Sequence, residues 1–440
     1  MFKRSILAVI FILFFTPVAF AVDKNELNLE FFDKFNDKYL SQYINEALEN
    51  NHSAKQATAR VEEYRQNVKS QFANELPSFS VAGNYLGINI PKFNPNLEVQ
   101  KNAFVLPFIA NYEADFLLKN RDKTKSTKKT YEMSKFDETT AYLTLLSDVA
   151  TVYTNILQYD KLINEQKKSV KNFKQILNDN NKKLNQGVIN STEANNAKSN
   201  LEASKITLEN LEKQREILLM EFSVLLGRNS DDTNNLERGS LDNFKYSEKI
   251  PNEIDSDIIF SRPDVKRAEA SLEKAKIDIR IARKEFLPRF NITGIWAFNT
   301  IAPGSFFSWD SSLAALLAGA TQDIFTGGKK IANLRFQKAK YKELFEQYKQ
   351  TDLEAVKEVN TALCLIKHDT EIEQKTQDKL KFEEKNLIDA RKMLNRGVIS
   401  NSQYLNSENI YINKNIDLTK AKTQKLINYY TLYKAVGGKI

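Results

Sequence analysis

The 440-residue sequence contains two similar halves, and this internal repeat constrains the fold more than any other feature. Residues 184–189 recur with one substitution as residues 394–399, at an offset of 210. Residues 76–79 match residues 287–290 at an offset of 211, again with one substitution. Short segments that recur in the same order and spacing indicate a tandem duplication. Each half is therefore expected to build the same structural unit.

Long segments without Gly or Pro predict very long helices in both halves. Such breaker-free segments are 108–186, 188–226, 329–396 and 398–436. Each half is predicted to contain a helix, a β-hairpin, a very long helix and a returning helix. In the first half the helices are expected at about 37–73, 121–185 and 191–226. In the second half they are expected at about 262–286, 330–395 and 402–436. The long helices would measure roughly 95–100 Å. Apolar residues seven apart from Val149 to Leu184 predict left-handed coiled-coil packing.

The N-terminal residues have the pattern of an export signal. Lys3 and Arg4 precede an apolar run over residues 6–15, and small residues follow at Ala19 and Ala21. A secretory signal peptide over residues 1–21 is predicted, with an N-terminal membrane anchor as the alternative. No Cys follows the predicted cleavage site, so no lipid attachment is expected there.

Composition argues against several classes of function. Two His and one Cys are too few for a His/Cys metal cluster or a disulfide framework, so no metal, no cofactor and no enzymatic activity are expected. The predicted mature chain keeps 62 of the 64 basic residues against 56 acidic ones. These charges alternate along the helices, which is typical of solvated faces rather than of a nucleic-acid surface.

Two hairpin regions, at about 78–118 and 289–326, show the alternation of β-strands. Apolar residues recur at every second position in their best segments, and the aromatic ones among them include Phe104, Phe108, Tyr112, Trp296 and Phe298. This pattern is typical of lipid-facing residues of a transmembrane strand, and equally of a half-buried strand in a soluble sheet. Four strands in one chain cannot close a barrel, since the smallest single-chain barrels use eight. If the strands span a membrane, two chains must share eight strands or three chains twelve.

Several short motifs, taken together, resemble those of the TolC family of outer-membrane factors. They are Arg262-Pro263-Asp264 at the start of the second half, Phe286-Leu287-Pro288 before its strand, residues 324–329 after its hairpin, and the paired Gly-Val-Ile turns. The resemblance covers essentially the whole predicted mature chain. The first hairpin lacks the Gly that the family has at its exit, so a different local turn is expected near residues 115–119.

The resemblance implies a mainly α fold with a transmembrane β-barrel. Three copies would combine four strands each into a 12-stranded barrel in the outer membrane, continuous with an α-barrel of coiled-coil helices in the periplasm. The implied units are a first repeat over 22–228, an equatorial connector over 229–260 and a second repeat over 261–440. The implied partners are a periplasmic adaptor and an inner-membrane transporter, in drug efflux or in type I secretion, with outer-membrane lipid around the barrel.

The resemblance also places a gated tip at the two turns between the long and returning helices. The turn residues, expected to dock the adaptor, are Gly187, Val188, Ile189, Gly397, Val398 and Ile399. Each Gly is also explained as a simple helix cap, and each Val-Ile pair by packing beneath its turn. The family lines its closed tip with acids, but the corresponding residues here are Glu193, Asn196, Gln403 and Asn406, with one acid only. Glu193 is equally explained as a favourable acid in a first helical turn.

These observations favour a passive outer-membrane duct with no catalytic step. The main alternative is a periplasmic coiled-coil scaffold or adaptor without a membrane barrel. An exported enzyme is a weaker alternative, because no catalytic constellation is recognisable in the sequence.

Overall fold

The computed structural model describes residues 27–87, 102–231, 233, 236–246, 248–251, 253–300 and 306–439. The predicted signal peptide over residues 1–21 lies outside the described residues. Nine α-helices and five strand segments are present in the described ranges. The helices are α1 Glu30–Asp33, α2 Lys38–Asn50, α3 His52–Ala73, α4 Lys119–Asn185, α5 Ser191–Leu225, α6 Ser256–Phe260, α7 Pro263–Lys284, α8 Lys329–Asn395 and α9 Asn401–Ala435. The strand segments are β1 Ser78–Val81, β2 Asn84–Gly87, β3 Asn102–Ala114, β4 Arg289–Asn299 and β5 Ser312–Thr321.

The five strand segments form a sheet only four strands wide. β1 and β2 both pair with β3 in one continuous register, with Val81 opposite Phe108 and Asn84 opposite Val105. Ala82 lies between them and donates its N–H to the carbonyl of Pro107. Proline has no N–H to return that bond, which explains why one strand is divided into two segments. The sheet order is therefore β1/β2, β3, β4 and β5, with all pairs antiparallel.

The first predicted helix, at about 37–73, is in fact two helices, and this prediction was wrong. Asn51 separates α2 from α3, with an extended backbone (ψ of 125°) and a side chain that accepts the N–H of Ala54. An Asn that caps a new helix in this way competes with continuation of the previous one. The four long helices α4, α5, α8 and α9 begin and end within two residues of their predicted limits.

The two 67-residue helices α4 and α8 organise the helical part of the chain. α4 packs against α3 and α5 and also against α7 and α9, whereas α8 packs mainly against α7 and α9. The helices therefore lie in a layer ordered α3/α5, α4, α7/α9 and α8. The residues seven apart on α4 face this packing, since Val149, Ile156 and Ile163 are buried.

Two pairs of helices meet end to end alongside α4 and α8, and each repeat builds this joint with residues at equivalent positions. The side-chain Nδ2 of Asn51 donates to the carbonyl of Leu225 at 2.9 Å, which joins α5 to α3. The Nη1 of Arg262 donates to the carbonyl of Ala435 at 2.8 Å, which joins α9 to α7. Free carbonyls at a helix C-terminus need such donors. Arg262, in the Arg-Pro-Asp motif, thus has a structural role that the sequence left open.

An aromatic cluster from distant segments lies near the joints. The ring of Phe31 stacks on Tyr433 at 4.8 Å between centroids, and the ring of Phe35 contacts Tyr430 at the same distance. The hydroxyl of Tyr153 donates to the carboxylate of Asp37 and accepts the N–H of Gly239. α1, the connector, the middle of α4 and the C-terminal end of α9 are therefore held in one core.

Candidate functional site

The aromatic residues of the sheet share one face. Phe108 pairs directly with Trp296, and Leu106 pairs with Phe298, so the register places Phe104, Phe108 and Tyr112 on the same face as these two residues. The ring centroids of Phe108 and Trp296 are 6.0 Å apart, and those of Trp296 and Phe298 are 5.0 Å apart. Trp296 is 44% exposed and Phe108 42%. The candidate lipid-facing residues therefore form one continuous apolar surface.

The opposite face of the same sheet, which we call the polar face, carries polar side chains at its helical end, whereas its middle carries Ile109 and Ile295. Ser80, Asn111, Thr293 and Thr321 lie on this face, and the hydroxyl of Thr293 donates to the Oδ1 of Asn111 at 3.0 Å. One apolar face and one polar face in alternation are the arrangement of a strand between lipid and a water-filled lumen.

A left-handed residue connects the sheet to each long helix. Gly328 has a φ of 81° immediately before α8, and Leu118 has a φ of 58° at the corresponding position before α4. The residue before it differs, since Gly327 has a φ of 60° whereas its counterpart Leu117 has no positive φ, so the turn in the first half is different at that position, as expected. The carboxylate of Asp115 accepts the N–H groups of Lys119 and Arg121 at 2.6 and 2.8 Å, which stabilises the turn despite its Leu.

A buried ion cluster holds α4 to α7 below the sheet. Asp122 accepts hydrogen bonds from Arg280 at 2.7 and 2.8 Å and from Lys284 at 2.6 Å. Burial by itself would raise the pKa of the Asp122 carboxyl, but its bonds to Arg280 and Lys284 outweigh burial and hold that pKa below its usual value.

The two tip turns have the same backbone. Gly187 and Gly397 have φ values of 70° and 74°. In each turn the Gly N–H bonds to the carbonyl three residues earlier, and the next N–H bonds to the carbonyl five residues earlier, all at 2.9 Å. This is the Schellman geometry of a helix C-terminus. An added Cβ would meet nothing within 4 Å at either Gly, so both turns project into open space.

The Val-Ile pairs of the tip divide between the two predicted arrangements. Val188 is 67% exposed and Val398 is 68% exposed, whereas Ile189 and Ile399 are half-buried. In each turn the Val therefore points outwards while the Ile packs partly beneath the turn.

The candidate pore-tip residues lie at the start of the returning helices. Glu193, Asn196, Gln403 and Asn406 are all exposed. The N–H of Glu193 bonds to the cap Asn190, whereas the side chain of Gln403 accepts the N–H of Ser400 at 2.8 Å in a capping box. Gln403 thus has a local structural role, and the spacing of Ser400 and Gln403 is the sequence signal that would have indicated it.

Polar bonds attach α9 to α4 near the tip. The Nδ2 of Asn401 donates to Asp179 at 2.7 Å, and the Nδ2 of Asn172 donates to Glu408 at 2.9 Å. Ile176 and Leu405 are buried between these bonds. Sequence reasoning missed these contacts, since no periodicity shows which helices become neighbours.

The described residues contain neither a cluster of metal ligands nor a helix that could span a membrane. No group of three or more His, Cys, Asp or Glu in the described ranges is arranged to hold a metal ion. Among the described helices, none has a stretch long and apolar enough to cross a bilayer.

Comparison with known proteins identifies the family. The profile of the family described as "outer membrane efflux protein" matches residues 43–228 and 256–438. The chain belongs to the outer membrane efflux protein family. The resemblance to outer-membrane factors is thereby confirmed, and with it the outer-membrane localisation.

Individual relatives are distant but similar along most of their length. The chain is 24% identical to the probable outer membrane lipoprotein SilC of Salmonella typhimurium, covering 92% of this chain and 87% of SilC. It is also 24% identical to the cation efflux system protein CusC of Escherichia coli O157:H7, with the same coverage. The crystal structure of the CmeC outer membrane channel of Campylobacter jejuni superposes with a TM-score of 0.86 at 23% identity, covering 94% of this chain and 88% of CmeC.

These findings confirm the predicted fold class, in which long helices are joined to a membrane β-domain. They also support transport rather than catalysis as the family's role, and an efflux channel as this chain's function. A periplasmic scaffold without a membrane domain has no support among the proteins compared.

Proposed function

We propose that three copies of this chain form a channel through the outer membrane and the periplasm. The open edges of the sheet are the observation that carries this proposal. β1/β2 and β5 each have one side without a strand partner among the described residues. A sheet edge in lipid leaves backbone groups without hydrogen bonds, so it must be closed by another chain.

The direction of the edge strands permits such closure. Four antiparallel strands place β1/β2 and β5 in opposite directions. The β5 edge of one copy can therefore pair antiparallel with the β1/β2 edge of the next, which closes a ring without exposed edges. Three copies give twelve strands, as the family resemblance implies.

The exposed apolar side chains of α8 support the same assembly. α4 has 25 buried residues whereas α8, of equal length, has five. Among the large apolar residues of α8, Phe336, Leu353 and Phe382 are each more than 60% exposed. Exposed apolar side chains along a whole helix favour burial against another protein surface. In a closed ring, α8 of one copy would pack against α3 and α5 of the next.

We further propose that the two tip turns dock a periplasmic adaptor, which links the channel to an inner-membrane transporter. The outward Val188 and Val398, repeated around a ring of three, would supply the apolar contacts. Glu193 would form the ring of carboxylates closest to the tip opening, with Asn196, Gln403 and Asn406 as its neutral neighbours.

Both drug efflux and type I secretion fit this arrangement. The name of CusC refers to cation efflux, and that cargo is not transferred to this chain.

The test is the behaviour of the purified mature chain. We expect extraction from outer membranes to require detergent, light scattering to give the mass of three chains, and planar bilayers to show stable conductance. A monomer that dissolves in water without detergent and does not bind lipid would contradict the proposal.

A further inference from the structure

A cluster of positively charged side chains surrounds a cavity at the junction between the sheet and the long helices. The cavity has a volume of about 530 Å³. Its cationic lining residues, which we call the neck cluster, are Lys119, Arg289, Lys329 and Lys330. They come from the start of α4, the start of β4 and the start of α8. Three segments far apart in the sequence therefore bring four cations to one place.

The cavity opens on the polar side of the sheet. Arg289 pairs directly with Thr321 at the last position of the β4–β5 ladder, and both residues line the cavity. Since side chains alternate along a strand, Arg289 and Thr321 share the face of Asn291 and Thr293. In a membrane-spanning sheet the polar face borders the lumen, so the neck cluster lies on the path through the proposed channel.

The carboxylates of the cavity do not neutralise its cations. Asp323 lies 3.1 Å from the ammonium of Lys330 and 3.9 Å from the guanidinium of Arg289. Glu285 accepts a hydrogen bond from Asn333 at 2.9 Å. Four cations against these two carboxylates leave two positive charges per chain in the cavity lining.

Two lysines of the neck cluster are without an ion-pair partner in the part of the chain that the structure describes. Among the described residues, no carboxylate lies within 4.0 Å of the ammonium of Lys119 or of Lys329. Burial lowers the pKa of Lys119 and the charge of Lys123 lowers it further, an effect that Glu113 and Glu285 do not fully offset. A bound anion would relieve this excess of positive charge.

We propose that the neck cluster binds the anionic groups, carboxylate or phosphate, of solutes passing through the lumen, and that it makes the channel prefer anionic cargo. This inference rests on the proposed channel function. Three copies would place a net six positive charges from their cavity linings around the lumen. Charges of one sign focused in a confined aqueous passage raise the local concentration of the opposite ion.

The test is conductance in planar bilayers of neutral phosphatidylcholine, so that lipid headgroups bring no net charge. The variant Lys119→Gln/Lys329→Gln removes both unpaired cations, and the probes are a KCl gradient and inorganic pyrophosphate. We expect the wild-type channel to prefer chloride over potassium and to be blocked by pyrophosphate. The variant should lose that preference and need about tenfold more pyrophosphate for the same block.

Two further variants serve as controls. Lys340→Gln removes one charge from α8 outside the cavity, where Lys340 pairs with Glu343 at 2.9 Å, and we expect wild-type block. Lys119→Arg/Lys329→Arg keeps the charge and should retain the block. A conducting Lys119→Gln/Lys329→Gln channel with unchanged ion preference and unchanged block would overturn this inference alone. A wild-type chain that forms no pore would overturn the proposed function with it.

Discussion

At the scale of single residues, four glycines with positive φ divide into two groups by their surroundings. Gly187 and Gly397 lie at open turns, where a Cβ would meet no atom within 4 Å. Gly227 and Gly437 lie at the joints. A Cβ at Gly227 would be 2.7 Å from the carbonyl carbon of Asn50, and a Cβ at Gly437 would be 3.1 Å from the Cδ of Pro263. Glycine is therefore needed at the tip turns for its backbone conformation, and at the joints also because a larger residue would not fit.

We expect Gly227→Ala to destabilise the protein far more than Gly187→Ala. Both variants force an L-residue into the left-handed region, at about 1–2 kcal/mol. Only Gly227→Ala adds a clash with the backbone of Asn50, which by analogy with overpacked cores costs about 1–3 kcal/mol more. Thermal unfolding of the two purified variants should separate them clearly. Equal melting temperatures would show that the joint is not tightly packed in solution.

At the scale of elements, the sheet and the α4–α7 pair are stabilised by different physics. The sheet presents an aromatic face that no other described element covers fully, so its stability depends on its surroundings. The α4–α7 pair instead contains the buried Asp122 with two cationic partners. The stability of the sheet should therefore depend on contact with lipid, and that of the α4–α7 pair on pH.

We expect Trp296→Lys to impair assembly in the outer membrane. A lysine on the lipid face costs about 2–4 kcal/mol near the midplane. Ile295→Lys is the matched control and should assemble better, because Ile295 is the next residue of β4 and lies on the opposite face, away from lipid. Trimer yield from isolated outer membranes is the measurement. Normal yield for Trp296→Lys with reduced yield for Ile295→Lys would reverse the assignment of the two faces.

We expect the α4–α7 contact to lose stability in acid through Asp122. Its pKa is lower in the folded chain than the usual value of about 3.9. The stabilisation is therefore complete well above pH 4 and is lost as the pH falls through the lower folded value. Asp122→Asn should cost about 1–3 kcal/mol at neutral pH, since it removes hydrogen bonds to charged groups.

The matched control is Asp137→Asn, which breaks the exposed Asp137–Arg267 pair between the same helices. An exposed pair contributes about 0–1 kcal/mol, so this variant should be nearly neutral. The measurement is the free energy of unfolding of both variants and the wild type between pH 3 and pH 7. If the stability of Asp122→Asn falls in acid as steeply as that of the wild type, groups other than Asp122 cause the acid dependence.

At the scale of the whole molecule, the two repeats have diverged in what surrounds them. α4 is enclosed by helices of its own chain, whereas α8 has no helix on its outer flank among the described residues. The long helix of the first repeat, α4, is thus part of the core, whereas the equivalent helix of the second repeat, α8, is largely exposed. This asymmetry is what an assembly of several copies requires of each chain.

We expect Leu353→Glu to prevent assembly while leaving the single chain folded. Leu353 is 67% exposed, and burying such a side chain contributes about 1.5–3 kcal/mol. Gln347→Glu adds the same charge at an exposed position of α8 without removing an apolar side chain, so it should impair assembly much less. Light scattering reports the mass, and circular dichroism reports helix content. A Leu353→Glu trimer of normal stability would place α8 away from the interface.

The sequence alone predicted the features that depend on short-range pattern. Breaker-free stretches located α4, α5, α8 and α9 because helix formation depends on near neighbours. Alternating aromatics located β3 and β4, since side chains of a strand repeat every two residues. The recurrence of these patterns in both halves indicated the family.

The tertiary structure decided the features that depend on distant residues. The joints of Asn51 with Leu225 and of Arg262 with Ala435 bring together residues more than a hundred positions apart, and the neck cluster joins Lys119 to Arg289 and Lys329 over similar separations. It also decided that α4 is buried and α8 exposed, although both have the same length and similar patterning. The reason is physical: periodicity shows that a helix has an apolar face, while only the packed chain shows what covers it.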